Sequence, residues 1–265
     1  MAKIYTVVNQ KGGVGKTTTS INLAAKLGEL GMRVLIVDLD PQANATASLG
    51  VERQKLNAGT YELLIGTGNV NEIILHHPRY KISLIPSTVN LSGAEIELID
   101  LSDREKRLKN VIDTLTDRYD YIIIDCPPSL GLLTLNGLIA AKDGVLIPVQ
   151  CEYLALEGLG QLTQTLQRIR QNLFPDLQIR GVLLTMFDGR TNLSADVRAE
   201  VQKFFPEQVF ETYIPRSVRL AEAPSFGMPI SFYAPESTGA KAYDSLAKEI
   251  MTQDGFEIIT ENKNG

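Results

Sequence analysis

Residues 9–18, Asn-Gln-Lys-Gly-Gly-Val-Gly-Lys-Thr-Thr, constrain this chain more than any other stretch. They follow an apolar run, Ile4–Val8, and precede a helical pattern that sets Ile21, Ala24, Ala25 and Leu27 on one face. Strand, tight loop and helix start in that order form the setting that a phosphate-binding loop requires. Gly12, Gly13 and Gly15 let the backbone curl until successive N–H groups point at an anion, and the following helix adds its positive end. Lys16 supplies a point charge for β and γ phosphates, and the Thr17 hydroxyl is placed to ligate Mg²⁺. The usual pattern has glycine where this chain has Gln10, and a second lysine, Lys11, opens the glycine run. Two lysines bracketing such a loop predict a nucleoside triphosphate site.

Three carboxylates stand where apolar strands run out. Asp38 and Asp40 follow Arg33–Val37, and Asp125 closes Tyr121–Ile124. Ligands of an open parallel sheet gather beyond the carboxyl ends of its strands, so these acids are expected to face the loop. Transfer of a phosphoryl group to water needs a residue that orients the nucleophile, and Asp40 is the candidate. Asp125 is expected beside the cation. Asp38 is expected to support the magnesium shell or the loop lysines.

The remaining pattern predicts a doubly wound α/β domain with a mostly parallel sheet flanked by helices. Candidate strands are 3–9, 33–38, 82–85, 121–125, 145–149, 179–186 and 209–213. Helical stripes run through Leu108, Val111, Ile112 and Leu115, and through Leu159, Leu162, Leu166, Ile169 and Leu173. Two more run through Val197, Val201, Phe204 and Phe205, and through Tyr243, Leu246, Ala247 and Ile250. No linker or repeat divides the chain, so residues 1–251 read as one domain and 252–265 as a flexible tail. His76-His77 reads as a solvated loop pair without further metal ligands. Cys126 and Cys151 read as buried thiols of a reducing compartment. No apolar run approaches a membrane span. The net charge of −5 argues against a constitutive, charge-driven nucleic-acid binder, while leaving room for a local basic patch.

The loop resembles the deviant Walker A motif, K-G-G-x-x-G-K-[ST], of the ParA/MinD ATPases. The resemblance extends through Asp38-Leu39-Asp40-Pro41-Gln42-Ala43-Asn44 and Ile122-Ile123-Ile124-Asp125-Cys126-Pro127-Pro128-Ser129. It continues in Phe187-Asp188-Gly189-Arg190-Thr191-Asn192 and in the segment Ile214–Ser225. These stretches stand in family order, most like the small chromosomal ParA type often called Soj. The resemblance implies a cytoplasmic, nucleoid-associated ATPase, with ATP and Mg²⁺ as cofactors, that segregates chromosomes or plasmids. It implies a homodimer sandwiching two ATP, binding of double-stranded DNA without sequence preference, and a ParB-like activator of hydrolysis.

Residue by residue, the catalytic set is Lys11, Lys16 and Asp40, with Lys11 reaching across a two-fold axis to the partner's nucleotide. ATP would be held by Lys11, Gly12, Gly13, Val14, Gly15, Lys16, Thr17 and Thr18, with Pro215, Arg216 and Val218 near the adenine. The metal would lie near Thr17, Asp125 and Asp38. DNA would meet Arg190 and Arg219, with Arg216 in the same segment. Two other readings are a MinD-like membrane-cycling ATPase or a positioning ATPase for a protein cargo. The acidic-to-neutral stretch Asp254–Lys263 makes a poor membrane anchor. A third, a metal-carrier or iron–sulfur reductase, would need cysteines in a ligating arrangement, which Cys126 and Cys151 lack.

Overall fold

The computed structural model describes residues 1–153 and 155–258. Seven strands form one sheet: β1 Lys3–Val7, β2 Val34–Asp38, β3 Leu75–His77, β4 Ile82–Ile85, β5 Tyr121–Asp125, β6 Val145–Gln150 and β7 Ile179–Thr185. Their order is β3-β4-β2-β5-β1-β6-β7, parallel throughout except for the β3–β4 pair. The helices in the first half are α1 Lys16–Glu29, α2 Asn44–Ser48, α3 Thr60–Ile65, α4 Val70–Ile73, α5 Leu91–Glu97 and α6 Arg107–Asp113. Those in the second are α7 Leu132–Ala140, α8 Ala155–Asn172, α9 Asn192–Phe204, α10 Val218–Glu222, α11 Ile230–Tyr233 and α12 Thr238–Gln253.

The period of two along each strand assigns the cores. Tyr5, Val7, Ile36, Ile123 and Leu146 point to one face and pack on α1 and α12 through Leu23, Leu27, Tyr243 and Leu246. Ile4, Leu35, Val37, Ile122 and Ile124 point to the other, beneath Leu63, Leu91, Leu98, Leu108, Ile112 and Leu133. A third cluster joins Ile147, Val149 and Val182 to Leu159 and Leu162 of α8 and Val197 and Val201 of α9. Strands covered on both faces carry apolar residues at every position, which is why β2 and β5 read as unbroken hydrophobic runs.

Six of the expected strands match within two residues at either end. Residues 209–213 do not form a strand; they make a single parallel bridge, Val182 to Val209, and a second joins Phe187 to Pro215. The missing strand is instead β3, at His76-His77, expected as a solvated loop. His76 Nδ1 lies 2.9 Å from Ser83 Oγ across that antiparallel edge, and His77 stacks on Tyr80. Two stripe residues are exposed: Phe204, the last residue of α9, and Leu173, one residue beyond α8. Both sit where the helical period no longer holds the side chain inward. Cys126 and Cys151 are free and buried.

The expected tail begins inside α12, and its next residues are held. Asp254 accepts hydrogen bonds from Tyr5 Oη (2.7 Å) and Tyr121 Oη (3.0 Å) and pairs with Arg180 (3.0 Å), and Phe256 packs on Tyr121. Polar partners this far back in the chain (in β1, β5 and β7) leave no sequence periodicity to read. The tail expectation for residues 259–265 lies outside the described residues.

Asp254→Ala removes the acid and strands the largely buried Arg180 guanidinium. Breaking a buried pair from one side costs about 3 kcal/mol. Urea denaturation should show that loss, while nucleotide affinity stays unchanged because the cluster lies away from the loop that follows β1.

Candidate nucleotide site

Strand order decides where a ligand can sit. The chain runs from β1 outward to β2 and β4, returns to insert β5 beside β1, then crosses to β6 on the other side. The crevice opens at that reversal, above the carboxyl ends of β1, β5 and β2. Registers set the acids there side by side: Val7 opposes Asp125, and Asp125 opposes Asp38.

The loop between β1 and α1 is gripped from below. Asn9 Nδ2 donates to the Pro148 carbonyl (2.7 Å), and Asn9 Oδ1 accepts from the Lys11 N–H (3.0 Å). Thr185, the last residue of β7, donates to the Val14 carbonyl (2.8 Å). Gly13 and Gly15 have φ of +76° and +91°, a region that strongly favours glycine. Val14 turns its side chain into the protein. Neither Asn9 nor Thr185 was singled out from the sequence, since a polar residue at a strand end has many ordinary uses.

A cavity of about 360 Å³ opens over this loop, lined by Gly12, Gly13, Gly15, Lys16, Thr17 and Thr18, with Asp40 and Pro128 opposite. Gly15, Thr18 and Met186 also line an adjoining cavity of about 220 Å³, which Pro215, Arg216, Ser217, Leu220 and Tyr243 complete. The two together have the form of a phosphate site leading to a more apolar chamber. Val218, expected with Pro215 and Arg216, is exposed and does not line it.

Lys16 is buried, and its ammonium donates to the Lys11 carbonyl (3.0 Å). Burial lowers its pKa, while the charges of Asp125 and Asp40 pull it back up. Thr17 Oγ1 donates to one oxygen of Asp125 (2.8 Å), and Ser20 Oγ donates to the other (2.8 Å). Ser20 lies one turn beyond Lys16 on α1 and brings a second hydroxyl to the acid. Desolvation nonetheless raises the Asp125 pKa to about 6, against the hydrogen bonds from Thr17 and Ser20. Asp40 lines the cavity, with one oxygen accepting from the Gln42 N–H (2.9 Å).

Asp38 is turned the other way. Its oxygens accept from Thr46 Oγ1 (2.6 Å), the Thr46 N–H (2.8 Å) and the Asp40 N–H (3.2 Å), and it does not line the cavity. Burial and the neighbouring Asp125 raise its pKa to about 7. The carboxylate expected to support the cation or the lysines instead ties α2 to the end of β2. Its side chain is committed by the alternation that puts Val37 and Leu39 in the opposite core.

Lys11 leaves the cavity and pairs with Glu152, just past β6 in the same chain. No motif marked Glu152. Arg190 pairs with Asp188 through two guanidinium nitrogens (2.9 and 2.7 Å), and Arg219 pairs with Glu222 (2.9 Å). The Arg216 N–H donates to the Phe187 carbonyl (3.2 Å), which brings the 214–219 segment against the loop of Arg190. All three arginines are exposed.

A family model described as an AAA domain matches residues 2–179. The sporulation initiation inhibitor protein Soj of Bacillus subtilis is 54% identical over 250 residues, covering 94% of this chain and 98% of that protein. The chromosome partitioning protein ParA of Myxococcus xanthus is 51% identical over 257 residues, covering 96% and 89%. A solved structure of cobyrinic acid a,c-diamide synthase from Mycobacterium smegmatis, with bound ADP and magnesium, has a TM-score of 0.84 at 38% identity. It covers 99% of this chain and 100% of that one.

The raised pKa of Asp125 makes its ionisation a cost to folding. The unfolded carboxylate ionises near 4 and the folded one near 6, so stability is lost as pH rises through that window. Asp125→Asn should therefore raise the stability of the nucleotide-free protein at pH 8, by roughly 2–3 kcal/mol for about two pKa units. Thermal denaturation should show about half that gain at pH 5, because only part of the window has then been crossed.

Proposed function

The chain belongs to the Soj/ParA family of chromosome-partitioning ATPases, and from that premise we propose that it is a DNA-binding switch powered by Mg²⁺-dependent ATP hydrolysis. The observation that carries the reading is the joint placement of Lys16, Thr17 and Asp40 around one cavity, with Asp125 behind Thr17. The loop amides and Lys16 hold the β and γ phosphates. The anion returns to Lys16 the countercharge that burial withholds. The adenine enters the adjoining chamber beside Pro215 and Arg216.

Thr17 Oγ1 and Asp125 offer the hard oxygen donors that magnesium takes. Among the described residues, no group of three or more His, Cys, Asp or Glu could cage a metal, which suits a cation carried in on the triphosphate. Held by these oxygens, magnesium would supply positive charge to offset that of the triphosphate. Asp40 then orients the attacking water in line with the γ-phosphate, held at its own angle by the Gln42 N–H.

Lys11 exchanges Glu152 for the nucleotide of a second subunit, so the triphosphate bridges two chains and ATP favours the dimer. The dimer presents Arg190, Arg216 and Arg219 twice. Phosphate contacts from one subunit are few; doubling them makes binding conditional on ATP. A ParB-like activator raises hydrolysis and returns the chains to monomers, cycling the protein on and off the nucleoid during segregation. The start of the tail supports this over a membrane platform, because Phe256 is packed on Tyr121.

Asp40→Ala should bind ATP and dimerise while hydrolysing far more slowly, leaving a long-lived dimer on DNA. A normal activator-stimulated rate in that variant removes Asp40 from the mechanism.

Arg219→Glu, and similarly Arg190→Glu, should abolish ATP-dependent DNA binding and spare dimerisation. For the parent dimer, the logarithm of affinity should fall with that of salt by about 0.9 per phosphate neutralised, whatever the DNA sequence. A slope near zero, or variants binding like the parent, returns the arginines to ordinary surface charge.

A further inference from the structure

Strand register also gathers charge at the end of the sheet away from the nucleotide crevice. His77 opposes Ile82, Ile82 opposes Val34, and Val34 opposes Tyr121, so four neighbouring strands are level there. The residues that lead into three of them are Lys81, Arg33 and Asp120. A cavity of about 340 Å³ opens at this level, lined by Arg33, His76, His77, Lys81 and Arg118. Among the described residues, no carboxylate lines it. Asp120 stands beside it and is taken by Arg33, which donates from Nε (3.1 Å), a terminal nitrogen (2.7 Å) and its backbone N–H (2.8 Å). Asp117 is exposed on the far side of Arg118, and Glu72 accepts from Asn69. Arg79, Lys81 and Arg118 form no ion pair with any described residue.

These groups are held in place. Tyr80 is buried, stacks on His77 (3.9 Å between ring centres), packs on Phe232 and donates to the Gly227 carbonyl (3.0 Å). That pins the turn from His77 to Lys81, in which Lys81 takes a φ of +55°. Glycine would meet such a φ without the strain that a Cβ brings. The Arg118 guanidinium lies over the Tyr119 ring (5.9 Å) and donates to Asn71 Oδ1 (2.6 Å). His76 Nδ1 is occupied by Ser83 Oγ, and His77 Nδ1 is shut away from water without a side-chain partner. Nε2 of each ring is therefore the nitrogen left to serve the cavity. Burial, and less strongly the Arg79 charge, hold the His77 pKa below its ordinary value. An anion beside the ring would supply the countercharge that its protonated form lacks.

We propose that this cavity binds a small polyphosphate, two or more linked phosphate groups, through Arg33, Lys81, Arg118 and the Nε2 atoms of His76 and His77. With Arg33 met by Asp120, Lys81 and Arg118 leave two uncompensated charges on the lining, and protonation of the histidines adds to them. A chloride or a lone carboxylate answers one of these charges. Linked phosphates answer several at once, with oxygens that guanidinium and ammonium groups bind well. Neighbouring strands stand about 4.8 Å apart, so cations led in on successive strands fall within the span of a diphosphate. A DNA duplex is a poorer occupant, because its phosphates run along a rail that would cross the exposed Asp117 carboxylate. A small anion stays inside the lining. The site lies at the opposite end of the strands from Lys16 and does not depend on the ATPase reading.

The chain has two histidines and both line this cavity, so imidazole NMR of the untagged full-length protein reads this site directly. Pyrophosphate should shift both imidazole signals saturably and carry the His77 titration to higher pH. Around His77 stand Arg33, Arg79, Lys81, Arg118 and Asp120, none of a type that titrates between about pH 5 and 8, and His76, read separately in the same spectrum. Inorganic phosphate and sulfate should each bind about tenfold more weakly than pyrophosphate. Lys81→Gly, which suits the left-handed backbone, and Arg118→Gln should each weaken pyrophosphate by about tenfold in a protein that still melts cooperatively. A merely structural lysine would be replaced by glycine without that loss. In Lys16→Ala, which removes the cation of the nucleotide cavity, the shifts should persist; their disappearance would trace them to that cavity and overturn the proposal. Comparing pyrophosphate with ADP in Lys16→Ala tells a free polyphosphate from a nucleotide, and tighter binding of either one keeps the diphosphate assignment. Equal responses to phosphate, sulfate and pyrophosphate would overturn it, as would unaffected Lys81 and Arg118 variants. So would duplex DNA that shifts the imidazoles at a lower phosphate concentration than pyrophosphate does.

Discussion

The carboxylate of Asp125 is buried at the end of β5, offset only by the hydroxyls of Thr17 and Ser20 and by the charge of Lys16. A buried acid of this kind is tolerated when its neighbours are fixed, and most of the site follows from fixing them. Thr17 and Ser20 come from the first turns of α1, so the acid ties that helix to the central strands. The helix in turn fixes where Gly15 must turn, and so how the loop amides face the cavity. The same acid, one register step from Asp38, raises that residue's pKa and favours its satisfaction by Thr46 instead of by solvent. Asp40, two residues on, is the first carboxylate of this strand end able to face the cavity. The proposed division of labour between the three acids is a consequence of strand register.

How much of this was legible depended on how local the determinants are. β5 could be read to the residue because a strand covered on both faces is apolar at each position up to its closing acid, and β4 because Ser83 is its one polar residue. The loop and its lysines were legible because a phosphate nest forms within one turn of chain. β3 was not: two histidines on an edge strand are held by pairing with Ser83 and Tyr80, which no local period announces. Asp38 and Asp40 stand two residues apart, so a period of two gives them the same face, and nothing local in the sequence shows that Thr46 takes up Asp38 while Asp40 lines the cavity. Glu152 and Asp254 were missed for a common reason. Each meets its partner across far-separated parts of the chain, Lys11 in one case and Tyr5, Tyr121 and Arg180 in the other.

Three of the four cations that the proposed function sends outward share one arrangement. Lys11 rests on Glu152, Arg190 on Asp188 and Arg219 on Glu222, all within the chain. Pairs this exposed are worth about 0–1 kcal/mol, so each can be surrendered to a phosphate at little loss. Their effect on the free monomer is larger than their stability suggests. In a chain of net charge −5, each pair removes a positive site that would otherwise sample polyanions. The monomer then has little reason to stay on DNA, and no single exchange of partner repays the loss of freedom on binding. On the proposed reading, two subunits joined through their triphosphates would make the exchanges together, with the second set drawn from a high local concentration. On the proposed reading the switch therefore needs no large change of shape: weak internal pairs, broken several at a time, make DNA binding depend on ATP.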